Sequence, residues 1–496
     1  MLRASSYTIY VELPNNDEEM LLVHGYTGAY NKVSRRVATY VRSLEAGEPP
    51  KPLYGEWGRE MQTEGRVTPP SQETISVLKR RGFLVEINPQ QEEVLFSKIA
   101  LTLHARNSRP NYLFMPTYDC NLRCSYCFQD HMRTNPAFGH LLGIMQEDLV
   151  DRIFKAIPKI EAYHGIMGHE PPDSNIGFFG GEPLLERNHS IVKYIIDKAR
   201  ARGEAAFWAV TNGTELHAYR DLLAPDMLSY LQITLDGPAY EHDKRRIYAD
   251  GRGSFELIAG NISMALDSGV QVSVRMNIDR DNIGHLPALA REIIERGWSR
   301  HPNFSASTAP VRAANPHTDA KTTFSSWELD QELTQMRQQY PDMRVIERPD
   351  DRIKEQVRTL FEKHGRPSLS STFCGAHNGM YIFDSFGDIY ACWERTGDSR
   401  VRIGSVTDGG DFILEEKLNT MWRSRNVTSN PICRKCRYAL NCGGGCAVVA
   451  EGQRGEFFTN FCDGFATRFR AAVAEAYMDH VAGVEHIVRI DRGCDL

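Results

Sequence analysis

The chain has 496 residues, 41% hydrophobic and 25% charged, with 58 basic and 64 acidic side chains and a net charge of −6. A composition this close to the globular average excludes wholesale disorder, and the length fits about two to four domains rather than one core. The slightly acidic balance gives no support for nucleic acid or an anionic membrane held by bulk electrostatics. No apolar run approaches the roughly 20 residues that cross a bilayer. The first residues, MLRASSYTIYVELPNN, show no basic head followed by an apolar stretch, so no secretory signal is expected and the expected compartment is the cytoplasm.

Residues 1–100 read as a small α+β domain. The segment 7–13 alternates like a strand, and 20–24 with 29–32 bracket a turn at 25–28 as a hairpin does. A helical pattern covers 35–44, a Gly- and Pro-rich loop 47–70, a second helix 71–79, and a strand 82–87. Hairpin, helix and helix-then-strand resemble a winged helix-turn-helix; a structural cap is the plainer reading.

Residues 101–310 alternate short apolar strands with helices. The strands are expected at 112–117, 176–179, 205–210, 231–235, 270–277 and 304–307, and the helices at 147–163, 190–202, 255–268 and 285–297. Six strands in βα alternation predict a parallel sheet, open or curled into a barrel, with ligands at the carboxyl ends of its strands. Residues 311–370 are polar and partly helical, a bridging segment. From 371 to 496 the chain is short-stranded and cysteine-dense, with a helix around 467–481.

Eleven cysteines are placed unevenly: Cys120, Cys124 and Cys127 together, seven from Cys374 to Cys462, and Cys494 near the C-terminus. Clustered thiols in a reducing compartment are more often metal ligands than disulfides. Cys120, Cys124 and Cys127 have the spacing C-x3-C-x2-C and directly follow the first βα strand. Three thiolates on one short loop hold three corners of a cubane 4Fe–4S cluster and leave the fourth iron open, as catalytic zinc sites keep one position free. This motif, with the aromatic Tyr126 before its third cysteine, resembles the radical S-adenosylmethionine (SAM) superfamily. The resemblance implies that the open iron chelates SAM and that SAM is cleaved to a 5′-deoxyadenosyl radical.

Supporting residues stand in the order the resemblance requires. Gly180, Gly181, Glu182 and Pro183 follow the second strand and match the GGEP segment that contacts the SAM amino group. Asn212 follows the third strand near the nucleoside, Thr234 ends the fourth, and Arg275 on the fifth is placed to pair with the SAM carboxylate. Tyr126 would lie by the adenine. The fold implied is α/β: a partial (β/α)6 TIM-like radical SAM barrel, with the winged-helix-like domain before it and an iron–sulfur domain after it.

The last domain reads Cys374-x12-Gly387-x4-Cys392, then Cys433-x2-Cys436-x5-Cys442-x3-Cys446-x15-Cys462. A zinc ribbon also uses C-x2-C pairs, but seven cysteines at these spacings resemble the SPASM extension of radical SAM enzymes that act on peptides. By that resemblance Cys374, Cys392 and Cys446 hold one auxiliary 4Fe–4S cluster. Cys433, Cys436, Cys442 and Cys462 hold a second, making three clusters with the SAM-binding one. Fully ligated members draw a further cysteine from upstream of the first position, and this chain has none there. Either His377 or Cys494 completes that cluster, or one iron stays open to a substrate thiolate.

The resemblance extends to maturases of ribosomally made peptides. In those the front domain grips a leader peptide, which adds a strand to the hairpin edge. The run Leu235–Asp236–Gly237–Pro238 with His242, Asp243 and Arg246 is typical of them. The expected function is hydrogen abstraction from a precursor-peptide residue and closure to an intramolecular cross-link, carbon–carbon or thioether. The expected partners are a precursor peptide with its leader and an electron donor such as flavodoxin or ferredoxin, and neither nucleic acid nor membrane. Asp236 and Glu394 are the candidate bases. The alternatives are formylglycine formation as in anaerobic sulfatase maturases, where an Asp stands at the position of Trp393, peptide epimerisation, and a non-catalytic electron carrier.

Overall fold

The computed structural model describes residues 2–45, 67–166, 174–313, 318–363 and 368–483. Cys494 and most of the 47–70 loop lie outside the described residues. The contacts group the chain into two units: one of Met1–Ser108, Asp350–Asn378 and Arg423–Ile487, the other of Arg109–Pro349 and Gly379–Trp422.

In the first unit, β1 (Arg3–Ala4) and β5 (Leu84–Val85) form a two-stranded sheet, while β2 (Thr8–Glu12), β3 (Glu19–His24) and β4 (Tyr30–Ser34) form an antiparallel sheet in that order. Side chains alternate across a strand, and both faces of β2 and β3 are used. Ile9, Val11, Leu21 and Val23 pack with Phe469 and Val473 of the helix Phe465–Val481. Met20 and Leu22 face Ala38 and Val41 of the helix Arg35–Ser43. The helix Gln72–Arg81 starts where Ser71 accepts from Thr74 N and stops at Gly82 in the left-handed region. The helix Pro89–Asn107 was not expected from the sequence. It opens with a capping box of Asn88 and Gln91 around Pro89, and its buried Glu92 takes hydrogen bonds from Arg3 at 2.7 Å and Ser6 N at 3.0 Å. A three-stranded antiparallel sheet, a two-stranded antiparallel sheet and three helices are thus the regular elements in the described part of residues 1–108.

The second unit is built on a ten-stranded sheet. Its parallel part is β6 (Asn111–Phe114), β7 (Ser174–Phe178), β8 (Ala205–Thr211), β9 (Leu228–Thr234), β10 (Gln271–Ile278) and β11 (Phe304–Pro310), paired in strictly sequential order. Sequential parallel strands with right-handed crossovers place every connecting helix on one face. The helices Glu147–Tyr163, His189–Arg200, Phe255–Asp267 and Leu286–Glu295 fall where periodicity predicts. Pro158 lies inside the first of these, on its exposed side.

On the other edge β12 (Met380–Phe383) pairs parallel with β6, and β13 (Asp388–Tyr390), β14 (Gly404–Val406) and β15 (Phe412–Leu414) follow antiparallel. The predicted bridging segment carries two helices, Ser326–Gln339 and Asp351–Lys363. Strand β10 shows the strand period plainly: Val272, Val274, Met276 and Ile278 are buried, while Gln271, Ser273, Arg275 and Asn277 point to the other face. No helix among the described residues is long and apolar enough to cross a membrane.

Candidate functional site

The cysteine loop leaves the carboxyl end of β6 and is held on three sides. Gly181 N donates to the Thr117 carbonyl at 3.1 Å and Glu182 N to the Asp119 carbonyl at 2.8 Å, so the GGEP segment runs alongside it. A side chain at Gly181 would collide with the carbonyls of Tyr118 and Asp119, which fixes glycine there. Arg123 N donates to the Ile247 carbonyl at 2.7 Å, tying the loop to the segment after the helix Ala239–Arg245. On the third side Asn121 Nδ2 donates to Thr214 Oγ1 at 2.9 Å, and Asn212 Nδ2 donates to Asn121 Oδ1 at 2.8 Å.

Cys120 and Cys124 are buried free thiols in one small cluster with Leu122, bordered by Tyr126 and Cys127. Burial pushes the Cys120 thiol up to about 12 and the Cys124 thiol up to about 11; Arg133 acts against this at Cys120, and Arg246 and Arg133 at Cys124. N–H groups point at the sulfurs: Leu122 N at 3.4 Å and Asn212 Nδ2 at 3.7 Å from Cys120, and Arg133 Nη2 at 3.2 Å from Cys127. Among the described residues the buried Nε groups of Arg133, Arg245 and Arg246 have no acceptor. Buried thiols ringed by N–H donors and guanidinium groups fit an anionic iron–sulfur centre, whose thiolates take such hydrogen bonds. Among the described residues no three His, Cys, Asp or Glu side chains close to the distances of a single metal ion.

Glu182 stands 1% exposed. Its carboxylate accepts from Thr211 Oγ1 and Asn212 N, both at 2.6 Å, and from Leu184 N at 2.9 Å. Burial nonetheless pushes it up to about 7. The side chain therefore fastens the Asn212 turn to the GGEP loop. Asn188 Nδ2 takes the Glu182 and Pro183 carbonyls at 3.3 and 3.1 Å, and Gly180 sits at φ 147°, in the range that favours glycine.

Tyr126, Asp236 and the arginines form one buried network. The Tyr126 hydroxyl donates to Asp236 Oδ2 and accepts from Arg246 Nη1 at 2.8 Å and Asn277 Nδ2 at 3.2 Å. Asp236 Oδ1 accepts from Asn277 N at 2.9 Å, and the Arg245 guanidinium, paired with Asp279, lies 5.4 Å from the Tyr126 ring centre. His242 supports this from behind. Its Nδ1 accepts from Asp236 N at 3.2 Å, its Nε2 meets Ser254 Oγ at 3.0 Å, and that hydroxyl donates to the Arg246 carbonyl at 2.6 Å. The chain of donors requires a neutral ring protonated on Nε2, and burial holds His242 well below the usual histidine range. Asp243 caps the next helix through Ser254 N and Phe255 N. The run from Asp236 to Arg246 is thus a clamp on the cysteine loop. Both oxygens of Asp236 are engaged, and the residue is fully buried.

Thr234 and Arg275 are register partners on β9 and β10. Arg275 donates from Nε to Asn277 Oδ1 at 3.2 Å and, among the described residues, has no carboxylate at ion-pair distance. Its charge is held below the usual arginine range by burial and by Arg312, against the pull of Tyr126, Asp236 and Glu394. Glu394 accepts from Arg312 Nη1 at 2.9 Å, and the neighbouring Trp393 stacks on Phe179, ring centres 5.2 Å apart. The sequence reading missed Arg133, Asn277 and Asn121. Asn277 was findable, two residues from Arg275 on the same strand face. Arg133 sits on a four-residue helix with no periodic signal.

The second cysteine group is in the first unit. Cys433, Cys436, Cys442 and Cys462 act on one another electrostatically, and burial pushes Cys436 up to about 11 and Cys442 up to about 12. Asn460 Nδ2 lies 2.8 Å from Cys462 Sγ. Gly443, Gly444 and Gly445 follow Cys442 with φ of 71°, 86° and 78°. A side chain on Gly443 would strike the Thr372 carbonyl, and one on Gly445 the Phe461 carbonyl. Cys374 and Cys446 belong to this unit and Cys392 to the other. His377 is fully buried, with Nε2 facing Arg425 Nη1 at 3.3 Å.

Residues 114–293 match the Radical SAM superfamily. A cysteine-type anaerobic sulfatase-maturating enzyme of Clostridium novyi (strain NT) is 22% identical over 377 residues, 72% of this chain and 93% of that protein. An Fe-coproporphyrin III synthase of Methanosarcina barkeri (strain Fusaro / DSM 804) is 21% identical over 378 residues, 72% of this chain and 88% of that protein. Among solved structures, native anSMEcpe with bound AdoMet and Cp18Cys peptide superposes with a TM-score of 0.53 at 15% identity, covering 75% of this chain and 99% of that one; this likeness is one of fold.

Proposed function

We propose that this chain, a radical SAM enzyme of maturase type, modifies a ribosomally made precursor peptide by closing an intramolecular cross-link, carbon–carbon or thioether. SAM and the 4Fe–4S cluster, when bound, supply a 5′-deoxyadenosyl radical that takes a hydrogen atom from the substrate. Cys120, Cys124 and Cys127 would hold that cluster. Arg275 would take the SAM carboxylate, for which its lack of an ion-pair partner leaves it available. Tyr126, oriented by Asp236, Arg246 and Asn277, would flank the adenine; Thr234 and Asn212 would border the nucleoside. Cross-linking removes two hydrogens from the peptide, one as an atom and one as a proton with an electron. Glu394 is the proposed proton acceptor, and Asp236 is reassigned as a positioning residue. The electron would pass to auxiliary clusters of the cysteine-rich region, one of them on Cys433, Cys436, Cys442 and Cys462. A flavodoxin or ferredoxin would serve as reductant.

The observation that carries this reading is the edge strand β4. Among the described residues it pairs only with β3 and is half-exposed along its length. Such an edge accepts an extended leader as a further strand. Formylglycine formation stays as the second reading because of the named activity of the curated relatives. The test is to incubate the reduced, reconstituted enzyme and SAM with small peptides encoded beside its gene, and separately with a sulfatase-type cysteine peptide. Loss of two hydrogen atoms from the former supports the maturase. A hydrazine-reactive aldehyde in the latter supports the second reading.

A further inference from the structure

Arg425 is 4% exposed and has no carboxylate partner among the described residues. Every hydrogen bond of its guanidinium goes to a neutral group. Nε donates to the Phe457 carbonyl at 3.0 Å, Nη2 to the Thr459 carbonyl at 2.7 Å, and Nη1 to the Gly445 carbonyl at 3.1 Å and His377 Nε2 at 3.3 Å. One ring, Phe457, lies 5.8 Å from the guanidinium carbon. Burial opposes its charge most, and the charges that favour it most strongly are those of four thiols, Cys433, Cys446, Cys374 and Cys442 in decreasing order. A buried cation surrounded by carbonyls and neutral thiols is costly. The same cation beside thiolates that carry iron–sulfur centres is compensated.

We propose that Arg425 is the built-in counter-cation of the auxiliary clusters: its Nη1 is held by the carbonyl of Gly445, the residue before Cys446, and by His377, three residues after Cys374. The inference rests on the proposed function, which supplies the clusters, and goes beyond it by naming the residue that tunes them. A fixed positive charge favours the reduced, more negative state of a cluster and so raises its reduction potential. Arginine suits the task because its planar fork satisfies three carbonyls and one imidazole and keeps the charge in place, which a lysine ammonium on a flexible stem does less rigidly. The result is an electron acceptor held reducible deep in the protein. Arg425 is a positioning and tuning residue rather than a catalytic one, since it need touch neither SAM nor peptide.

The test uses the full-length chain with Cys120, Cys124 and Cys127 replaced by alanine, so that only auxiliary clusters report. Arg425→Gln and Arg425→Lys are made in that background and loaded with iron and sulfide. Midpoint potentials are then followed by electron paramagnetic resonance. Arg425→Gln is expected to lose at least tenfold in the equilibrium constant for one-electron reduction, about 59 mV toward negative potential. Arg425→Lys should stay within that margin. If Arg425→Gln fails to hold iron while Arg425→Lys holds it at the parental midpoint, the charge requirement stands. An unchanged midpoint in an iron-replete Arg425→Gln protein, or equal loss of iron in both variants, overturns it. Absence of iron from the parent background would instead defeat the proposed clusters, and this inference with them, before Arg425 is touched.

Discussion

Asp384 offers a clean test of how the cysteine loop is anchored. It is 1% exposed. Its Oδ1 accepts from Phe386 N and Asp388 N, each at 2.9 Å, and its Oδ2 accepts from the Tyr118 hydroxyl at 3.0 Å, two residues before Cys120. Burial is the main cause that pushes its carboxyl up to about 7 from the ordinary 3.8, helped by Asp388 and opposed by the hydrogen bonds. A carboxyl raised in the folded state binds its proton more tightly there than in the unfolded chain, so its contribution is full below about pH 4 and is lost as pH rises through about 7. At about 1.4 kcal/mol for each tenfold in proton affinity, the loss is at most about 4 kcal/mol.

Asparagine keeps the two backbone bonds through its Oδ1, and its Nδ2 donates to the Tyr118 hydroxyl in place of accepting from it. Asp384→Asn should therefore match the parent near pH 4.5 and exceed it at pH 8. The gain in melting midpoint is up to about 8 °C, at roughly 2 °C per kcal/mol for a unit of this size. Thermal melts of both proteins across that range decide the matter. A difference that stays flat with pH, or a variant less stable at pH 8, refutes the reasoning.

Other substitutions probe the same architecture. Glu182→Ala orphans three buried donors at about 1–3 kcal/mol each and should lower the melting midpoint far more than Glu182→Gln, which keeps the bonds to Thr211 and Leu184. Tyr126→Phe leaves Asp236, Arg246 and Asn277 without their shared hydroxyl, and anaerobic calorimetry should find SAM bound about tenfold more weakly or worse. Gly445→Ala forces a side chain against the Phe461 carbonyl at φ 78°. Iron analysis should then show loss from the cysteine-rich region while SAM cleavage persists.

Much of the barrel was legible because its signals are local. The alternation along β10 and the amphipathic helix Glu147–Tyr163 are written in consecutive residues. Pairings between distant segments are not: that β12 joins β6 as a parallel neighbour depends on residues more than 260 positions apart, and no local pattern encodes it. The helix Pro89–Asn107 escaped notice because its apolar residues are spread around it, with Val94, Leu95 and Leu101 exposed, although Asn88, Pro89 and Gln91 already spelled its start. Within the site, spacing brought out the cysteines and GGEP. It did not distinguish a carboxylate that meets a ligand from one that ties two loops together, as the hydrogen bonds of Glu182 and Asp236 do.

The central claim is three iron–sulfur centres on one chain, one of them at Cys120, Cys124 and Cys127. Iron and acid-labile sulfide per chain, measured after anaerobic reconstitution, test it most directly. The wild type should hold about 12 irons and the Cys120/Cys124/Cys127→Ala variant about 8, at four irons per cubane, with SAM cleavage lost in the variant. About 4 irons together with bound zinc would contradict the account, making the cysteine-rich region a zinc module with no part in accepting electrons.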